Sequence, residues 1–155
     1  MAAALAVAPA LAGDVQLNGR TVTVSDQADE TILKMTSSNY ALNRSRDEII
    51  TDARACLATT PGLTLGTVNA EAGTIEATQA TEYRARFANY RVSSKLTLAA
   101  EDRVFWLTDA PIEVTQLDTE GAPMIAPLSK QNSGWDKGLM QFIQNEDKLV
   151  DCLFK

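Results

Sequence analysis

The side chains that perform most enzyme chemistry are sparse in this sequence. Its 155 residues contain no histidine, which removes the commonest general base and every Ser-His or Cys-His nucleophile arrangement. The sequence also lacks a G-x-S-x-G motif, a phosphate-binding glycine loop and a zinc-spaced cluster. Catalysis by a carboxylate pair stays open as a minor alternative, with Glu101, Asp102, Asp109 and Glu113 as candidates. Because acidic residues at turns are ordinarily solvated, we predict a protein that is not an enzyme and uses no cofactor.

The two cysteines, Cys56 and Cys152, are the second chemically informative pair. Two thiols without a histidine leave a tetrahedral zinc ion under-ligated, so we expect no metal site. An even cysteine count in an exported chain favours a disulfide, and with two cysteines the pairing is unambiguous. Such a bridge would stabilise the fold by roughly 4–5 kcal/mol in the chain-entropy model. The alternative is a pair of buried free thiols.

The first residues favour export. Residues 1–12 are uncharged and apolar, and Ala10-Leu11-Ala12 has the A-x-A form of a signal-peptidase site. We predict that 1–12 are a partial export signal, lacking the usual positive region, and that 13–155 form one periplasmic or secreted domain. A disordered alanine-rich tail is the alternative. The apolar run is well under the roughly 20 residues needed to span a bilayer, so we expect no stable membrane anchor.

Charge limits the partners that the chain can attract. Its 14 Lys and Arg residues stand against 20 Asp and Glu residues, for a net charge of −6. This balance opposes non-specific attraction to nucleic acid or anionic membranes. We therefore predict no nucleic-acid partner.

The stretch 89–107 predicts a hairpin with two different faces. With Glu101 and Asp102 in the turn, Leu98 is expected opposite Phe105 on an apolar face. That face belongs to the core, and the other face needs a separate explanation.

The other face of this hairpin carries the candidate binding residues. Trp106 is expected there opposite Thr97, together with Arg91 and Lys95, and Arg84 of the preceding strand is expected near Arg91. Contact of Trp106 with one of the cations would contribute about 0.5–1 kcal/mol. Because aromatic residues and arginine are enriched at binding hot spots, we interpret this face as a platform for an unknown protein or glycan partner.

Two segments could instead cover that platform. One is the N-terminal hairpin predicted around Asn18-Gly19, and the other is Met124-Ile125 in a long loop at 119–132. Loops of this length are often functional or disordered, so the loop is itself a second candidate binding segment.

The remaining patterns supply the elements that position these residues. Strands are predicted at 31–37, 63–67 and 74–84 and in the 89–107 hairpin, with 111–117 as a further edge strand. A capping box at Ser45 and Glu48 predicts a helix over 46–58, and a second apolar stripe predicts a helix of about twenty residues from 133. The order is β-α-β-β-β-β-α after a short hairpin. We therefore predict a two-layer α+β domain in which two helices cover one face of a mainly antiparallel, four- to five-stranded sheet.

This arrangement resembles the TBP-like domain of unknown function found in exported bacterial proteins. That family has a capped helix, a strand, an acidic-glycine turn with an "aGtI" step, and a "K…gR" hairpin. The matching stretches here are EAGTI at 71–75 and KLTLAAEDRV at 95–104, and the resemblance covers roughly residues 45–118. It implies the TBP-like fold and no particular activity, and the cysteine pair departs from the family pattern.

Taken together, these observations predict a non-catalytic exported binding or accessory module. Its ligand would bind the outer sheet face or the 119–132 loop. A purely structural, envelope-associated domain is the alternative, and a carboxylate-dependent hydrolase is a less favoured one.

Overall fold

The computed structural model describes residues 13–155, and the predicted export signal lies outside them. Two helices, α1 (Arg46–Thr59) and α2 (Trp135–Leu153), follow the predicted positions closely. The strands are β1 (Val15–Leu17), β2 (Arg20–Val24), β3 (Ile32–Ser37), β4 (Tyr40–Ala41), β5 (Leu63–Asn69), β6 (Thr74–Ala85), β7 (Ala88–Glu101), β8 (Val104–Gln116) and β9 (Ile125–Pro127). None of the helices in this part of the chain has the length and apolar composition needed to cross a membrane.

The strands form one antiparallel sheet in the order β1-β2-β3-β8-β7-β6-β5. The short strands β4 and β9 pair with β8 along the same edge as β3. Both helices pack on one face of this sheet, through β5, β6 and β7. The predicted two-layer α+β fold is confirmed, but the sheet formed by residues 13–155 has nine strands instead of four or five. The difference arises because the N-terminal hairpin joins the sheet edge as β1 and β2, residues 40–41 add β4 and the long loop contributes β9.

The register of the β7–β8 hairpin differs from the prediction. Leu98 lies opposite Leu107, and Trp106 lies opposite Ala99 instead of Thr97. The turn is centred one residue later than expected, at Asp102-Arg103, which moves the pairing by two residues. Because side chains alternate with a period of two, this shift leaves every residue on its predicted face.

Strand β8 is longer than the sequence suggested. Pro111, predicted to start a separate edge strand, lies inside β8 with β7 on one side. The β7–β8 register shifts between Ser94 and Leu96, beside the proline. A proline cannot donate a ladder hydrogen bond, and a bulge at this point accommodates it within a central strand.

Helix α1 is capped from two directions. As predicted, the Ser45 Oγ atom accepts a hydrogen bond from the Glu48 amide, at 3.2 Å. The β7–β8 turn adds a second cap, because Asp102 Oδ1 accepts from the Arg46 amide at 2.9 Å. This contact fixes the start of α1 against the end of the hairpin.

The core between sheet and helices is divided into two apolar clusters. One surrounds α1 and the last turns of α2, and the other surrounds the first turns of α2. A disulfide joins Cys56 of α1 to Cys152 of α2, with an S–S distance of 1.99 Å. The predicted pairing is confirmed, and it links the first helix to the last.

Candidate functional site

The sheet has an inner face, which packs on α1 and α2, and an outer face turned away from them. The N-terminal hairpin continues the sheet sideways through β2 and β3 instead of folding over it. Met124 and Ile125 do not bury themselves on the outer face either, since they are 84% and 66% exposed. Within residues 13–155, neither of the two segments proposed as covers lies over the outer face, and both proposals were wrong.

The predicted binding residues share the outer face but do not form one cluster. Lys95 and Arg91 lie four and eight positions along β7 from Ala99, the partner of Trp106. At a rise of about 3.3 Å per residue, these separations are roughly 13 and 26 Å. Arg84 pairs with Asn89 and is a diagonal neighbour of Arg91, as predicted.

Ion pairs engage the two β7 cations on the side of the strand away from Trp106. Lys95 Nζ lies 3.1 Å from Glu76 Oε1, and Arg91 Nη2 lies 2.7 Å from Glu82 Oε1. Both carboxylates belong to β6, whereas Trp106 belongs to β8 on the other side of β7. The expected cation–π contact is therefore replaced by cross-strand ion pairs.

A groove crosses the outer face beside these pairs. Its volume is about 560 Å³, and its lining includes the turn before β5. Thr78, Ala80 and Ser93 are short side chains of the central part, while Lys95 and Glu113 contribute charges. The short side chains leave the space that the groove occupies.

A row of four threonines runs across the strands next to the groove. Thr21, Thr36, Thr108 and Thr97 are directly paired residues on β2, β3, β8 and β7. We call them the threonine row. Trp106 lies two positions from Thr108 on the same face of β8. The row therefore joins the tryptophan to the groove.

The 119–132 loop forms a second, smaller cavity. It measures about 420 Å³ and is bounded by Tyr90 and Val114 of the sheet and by Met124 and Ala126 of the loop. The loop that sequence patterns left irregular is thus partly ordered by β9, which pairs with residues 113–115 of β8.

A buried polar cluster lies between the two apolar parts of the core. We define it as Arg20, Gln79, Ser94, Asp109 and Glu146, all of which are buried. Gln79 Nε2 donates to Asp109 Oδ1 at 2.7 Å and to Glu146 Oε2 at 2.9 Å. Ser94 Oγ donates to the same Asp109 oxygen at 2.6 Å. Three sheet strands and α2 are thereby connected through two carboxyl groups.

The two carboxyl groups of this site both have raised pKa values. Burial raises the pKa of Asp109, and burial together with the charge of Asp109 raises the pKa of Glu146 well above its usual value. Asp109 Oδ2 has no other hydrogen-bond donor among the described residues. A proton on the Glu146 carboxyl would donate to this oxygen, and the raised pKa of Glu146 favours that protonated form.

Arg20 connects the polar cluster to the surface. Its Nε atom lies 3.5 Å from Glu146 Oε1. Its two terminal nitrogens reach outward, to the Tyr40 hydroxyl at 3.1 Å and to the partly exposed Asp147 at 3.2 Å. The guanidinium charge of Arg20 is therefore balanced mainly by Asp147, at the edge of the core.

The acidic residues proposed from sequence for hydrolysis are dispersed. Asp109 was expected to be solvated at a strand end but is 0% exposed, because it continues the inward alternation of Phe105 and Leu107. Asp102 caps α1, and Glu113 faces the groove. Among residues 13–155, no group of three or more His, Cys, Asp or Glu side chains is placed to hold a metal ion.

Sequence patterns contained a signal for Glu146 that the apolar stripe concealed. Glu146 follows the same helical spacing as the buried apolar residues of α2, so it lies on the same face of the helix. Those apolar residues include Leu139, Phe142, Ile143, Leu149 and Val150. A carboxylate on the apolar stripe of a helix requires a buried partner, and that partner is the Gln79 and Asp109 pair.

Comparison with known proteins shows the fold and no more. No protein-family model matches the chain, and no curated protein shows significant similarity to it. The structure is similar to that of a TBP-like protein from Parabacteroides distasonis, with a TM-score of 0.61, 12% identity, and coverage of 90% of this chain and 96% of that chain. It is also similar to a DUF4468 family protein from Bacteroides ovatus, with a TM-score of 0.57, 12% identity, and coverage of 93% and 91%. These neighbours confirm the TBP-like resemblance at the level of fold.

Proposed function

We propose that this protein is an exported, non-catalytic binding module that recognises its partner through the outer face of the sheet. The observation that carries this proposal is the groove of about 560 Å³ on the sheet face opposite the helices, together with a partly exposed tryptophan on the same face. Neither predicted cover lies over this face, which leaves the groove open to a partner. Concave surfaces with a few placed polar groups are the usual form of binding sites.

The disulfide supports the exported part of the proposal. Cysteine pairs persist as disulfides mainly in oxidising compartments such as the periplasm or the extracellular space. The bridge between Cys56 and Cys152 agrees with the apolar, A-x-A-containing start of the sequence. We therefore assign the module to the periplasm or the exterior of the cell.

The proposal is tested by making Trp106 the only tryptophan reporter. The chain has two tryptophans, so Trp135→Phe leaves Trp106 alone. We expect emission close to that of solvated tryptophan and ready quenching by acrylamide. The matched control is Trp106→Phe, in which the remaining Trp135 packs against an apolar cluster and should be less readily quenched.

The same reporter then detects binding. The Trp135→Phe protein is titrated with neutral and anionic polysaccharides, with cationic and anionic peptides, and with phospholipid vesicles. Binding through the outer face predicts that at least one of these probes changes the emission or quenching of Trp106. Protected, blue-shifted emission at the outset, or no response to any probe, would overturn the proposal.

The loop cavity is the alternative location for the same function. Met124 is 84% exposed at the rim of a cavity of about 420 Å³, and a large exposed apolar side chain beside a cavity is typical of a binding surface. A probe that binds without affecting Trp106, and that loses affinity in Met124→Ala, would place the site there.

A further inference from the structure

We propose that the outer face binds an uncharged glycan chain, which lies along the threonine row and packs a sugar ring on Trp106. This inference rests on the proposed function and specifies its ligand class. It derives from the charge balance of the face, the spacing of its hydroxyl groups and the position of the tryptophan.

The outer face is electrically neutral although the chain is acidic. Its charged strand residues are four cations and four anions, Lys34, Arg84, Arg91 and Lys95 against Glu76, Glu82, Glu101 and Glu113. The net charge of −6 therefore lies elsewhere on the molecule. Two of the cations are already paired within the face, at Lys95–Glu76 and Arg91–Glu82. A polyanion or polycation gains little from such a surface, whereas an uncharged ligand loses nothing by binding to it.

The threonine row presents hydroxyl groups at regular intervals. Adjacent strands lie about 4.8 Å apart, so four paired threonines place hydroxyls at that spacing across β2, β3, β8 and β7. This spacing is comparable to the length of one sugar ring in an extended chain. A glycan lying across the strands would thus meet a new hydroxyl group with each successive ring.

Three of the four hydroxyl groups of this row are available to a ligand. Thr21 exchanges hydrogen bonds with Gln16 of β1, at 3.0 and 3.4 Å. Thr36, Thr97 and Thr108 make no side-chain hydrogen bond to another residue within the described part of the chain, and all three are partly exposed. A threonine hydroxyl both donates and accepts, which matches the hydroxyl groups of a sugar.

Trp106 adds an apolar surface at one side of the row. The residue paired with it on β7 is Ala99, which is small and leaves that flank of the indole uncovered. The C–H face of a pyranose ring is apolar with slightly positive hydrogens, so it packs well on the negative face of an aromatic ring. The hydroxyl row and the indole together offer the two kinds of contact that a neutral sugar requires.

The test is electrophoresis of the folded protein through native gels that contain dissolved polysaccharide. The neutral probes are hydroxyethyl cellulose, galactomannan and a mixed-linkage β-glucan, and alginate is the anionic comparison. We expect retarded migration in at least one neutral polysaccharide and none in alginate. Trp106→Ala should weaken the apparent affinity about thirtyfold, as for the loss of a hot-spot aromatic side chain. Thr108→Val should weaken it about threefold to tenfold by removing one hydrogen-bonding group.

Matched controls separate binding from folding. Thr51→Val removes an exposed threonine hydroxyl on α1, and Trp135→Phe removes the other tryptophan, so both should migrate as the wild type does. Urea unfolding of each variant verifies that Trp106→Ala and Thr108→Val remain folded at the gel temperature.

Two results would overturn the glycan assignment. One is the absence of retardation in every neutral polysaccharide, and the other is retardation that Trp106→Ala and Thr108→Val leave unchanged. If Trp106 in the Trp135→Phe protein still responds to a peptide or to vesicles, the outer face remains a binding surface and only the ligand class is wrong. If Trp106 responds to nothing, the proposed function fails as well.

Discussion

At the scale of single residues, the raised pKa of Glu146 is the most consequential feature of the core. Glu146 is 1% exposed and hydrogen-bonds through Gln79 to Asp109, so deprotonating it would place two charges in an apolar environment. One guanidinium, that of Arg20, lies near enough to offset part of that charge, at 3.5 Å. The folded protein therefore holds the Glu146 proton more tightly than the unfolded chain, in which a glutamate releases its proton at about pH 4.

The first prediction concerns the pH dependence that this proton creates. Because the pKa of Glu146 is raised in the folded state, protonated Glu146 contributes to the free energy of unfolding. This contribution is complete below the pKa of Glu146 in the unfolded chain, and it is lost as the pH rises through the pKa of Glu146 in the folded protein. Glu146→Gln keeps a donor toward Asp109 but has no proton to lose. We expect the variant to gain stability relative to the wild type as the pH rises above about 5, by up to about 1.4 kcal/mol per pH unit until the folded-state pKa is passed.

Urea unfolding at a series of pH values measures this difference. Glu48→Gln, at an exposed position on α1, is the control, and its stability relative to the wild type should vary much less with pH. If the free energies of unfolding of Glu146→Gln and the wild type changed in parallel with pH, Glu146 would be ionised in the folded protein.

At this scale, sequence predicts the face of a residue better than its role. Alternation placed Trp106 and Lys95 on the outer face correctly, because an error of two positions in register preserves the face. Asp109 was interpreted as a solvated acid, although the same alternation, continued past Phe105 and Leu107, leads to an inward position. Its partner Glu146 is 37 positions further along the chain, and only the packing of α2 on the sheet brings the two together.

At the scale of elements, the connection between α1 and β5 fixes how α2 sits on the sheet. Gly62 occupies this connection with a φ of +86°, and a Cβ atom there would lie 2.7 Å from Nδ2 of the buried Asn145 in α2. The turn and the helix are therefore in direct contact, at the same level of α2 as Glu146.

The second prediction uses this contact. Gly62→Ala should destabilise the protein by about 1–2 kcal/mol through its left-handed backbone and by about 1–3 kcal/mol more through collision with Asn145. Gly19→Ala is the matched control, since Gly19 has a similar φ of +79° but no atom within 4 Å of its added Cβ. Thermal and urea unfolding give both values. Equal losses for the two variants would mean that α2 moves aside freely at Asn145.

Elements were also the scale at which sequence was most informative. The Ser45 cap and the apolar stripes located both helices, because helix signals are local. Strand signals located β6 and β7 but not the pairing of β4, β3 and β9 along one edge of β8. Those contacts depend on the path of the whole chain, which local alternation does not specify.

At the scale of the whole molecule, one covalent bond spans most of the fold. Cys56 and Cys152 are 96 positions apart, so the disulfide encloses the β5–β9 part of the sheet and α2 within a single loop. The described residues outside the loop are the N-terminal strands with their connections, the first turns of α1 and residues 153–155. The bridge thus restricts the unfolded chain far more than a local disulfide would.

The final prediction is that this bridge decides whether the protein is stable outside an oxidising compartment. Removing both thiols with Cys56→Ala and Cys152→Ala should cost about 4–5 kcal/mol in the chain-entropy model, a large part of the roughly 5–15 kcal/mol typical of a domain. Urea unfolding with and without reductant measures the loss. Reduced wild type should unfold near the midpoint of the double variant, and the variant itself should not respond to reductant. A double variant within about 1 kcal/mol of the oxidised wild type would contradict the prediction, because at that level the packing of α1 and α2 would hold the fold without the cross-link.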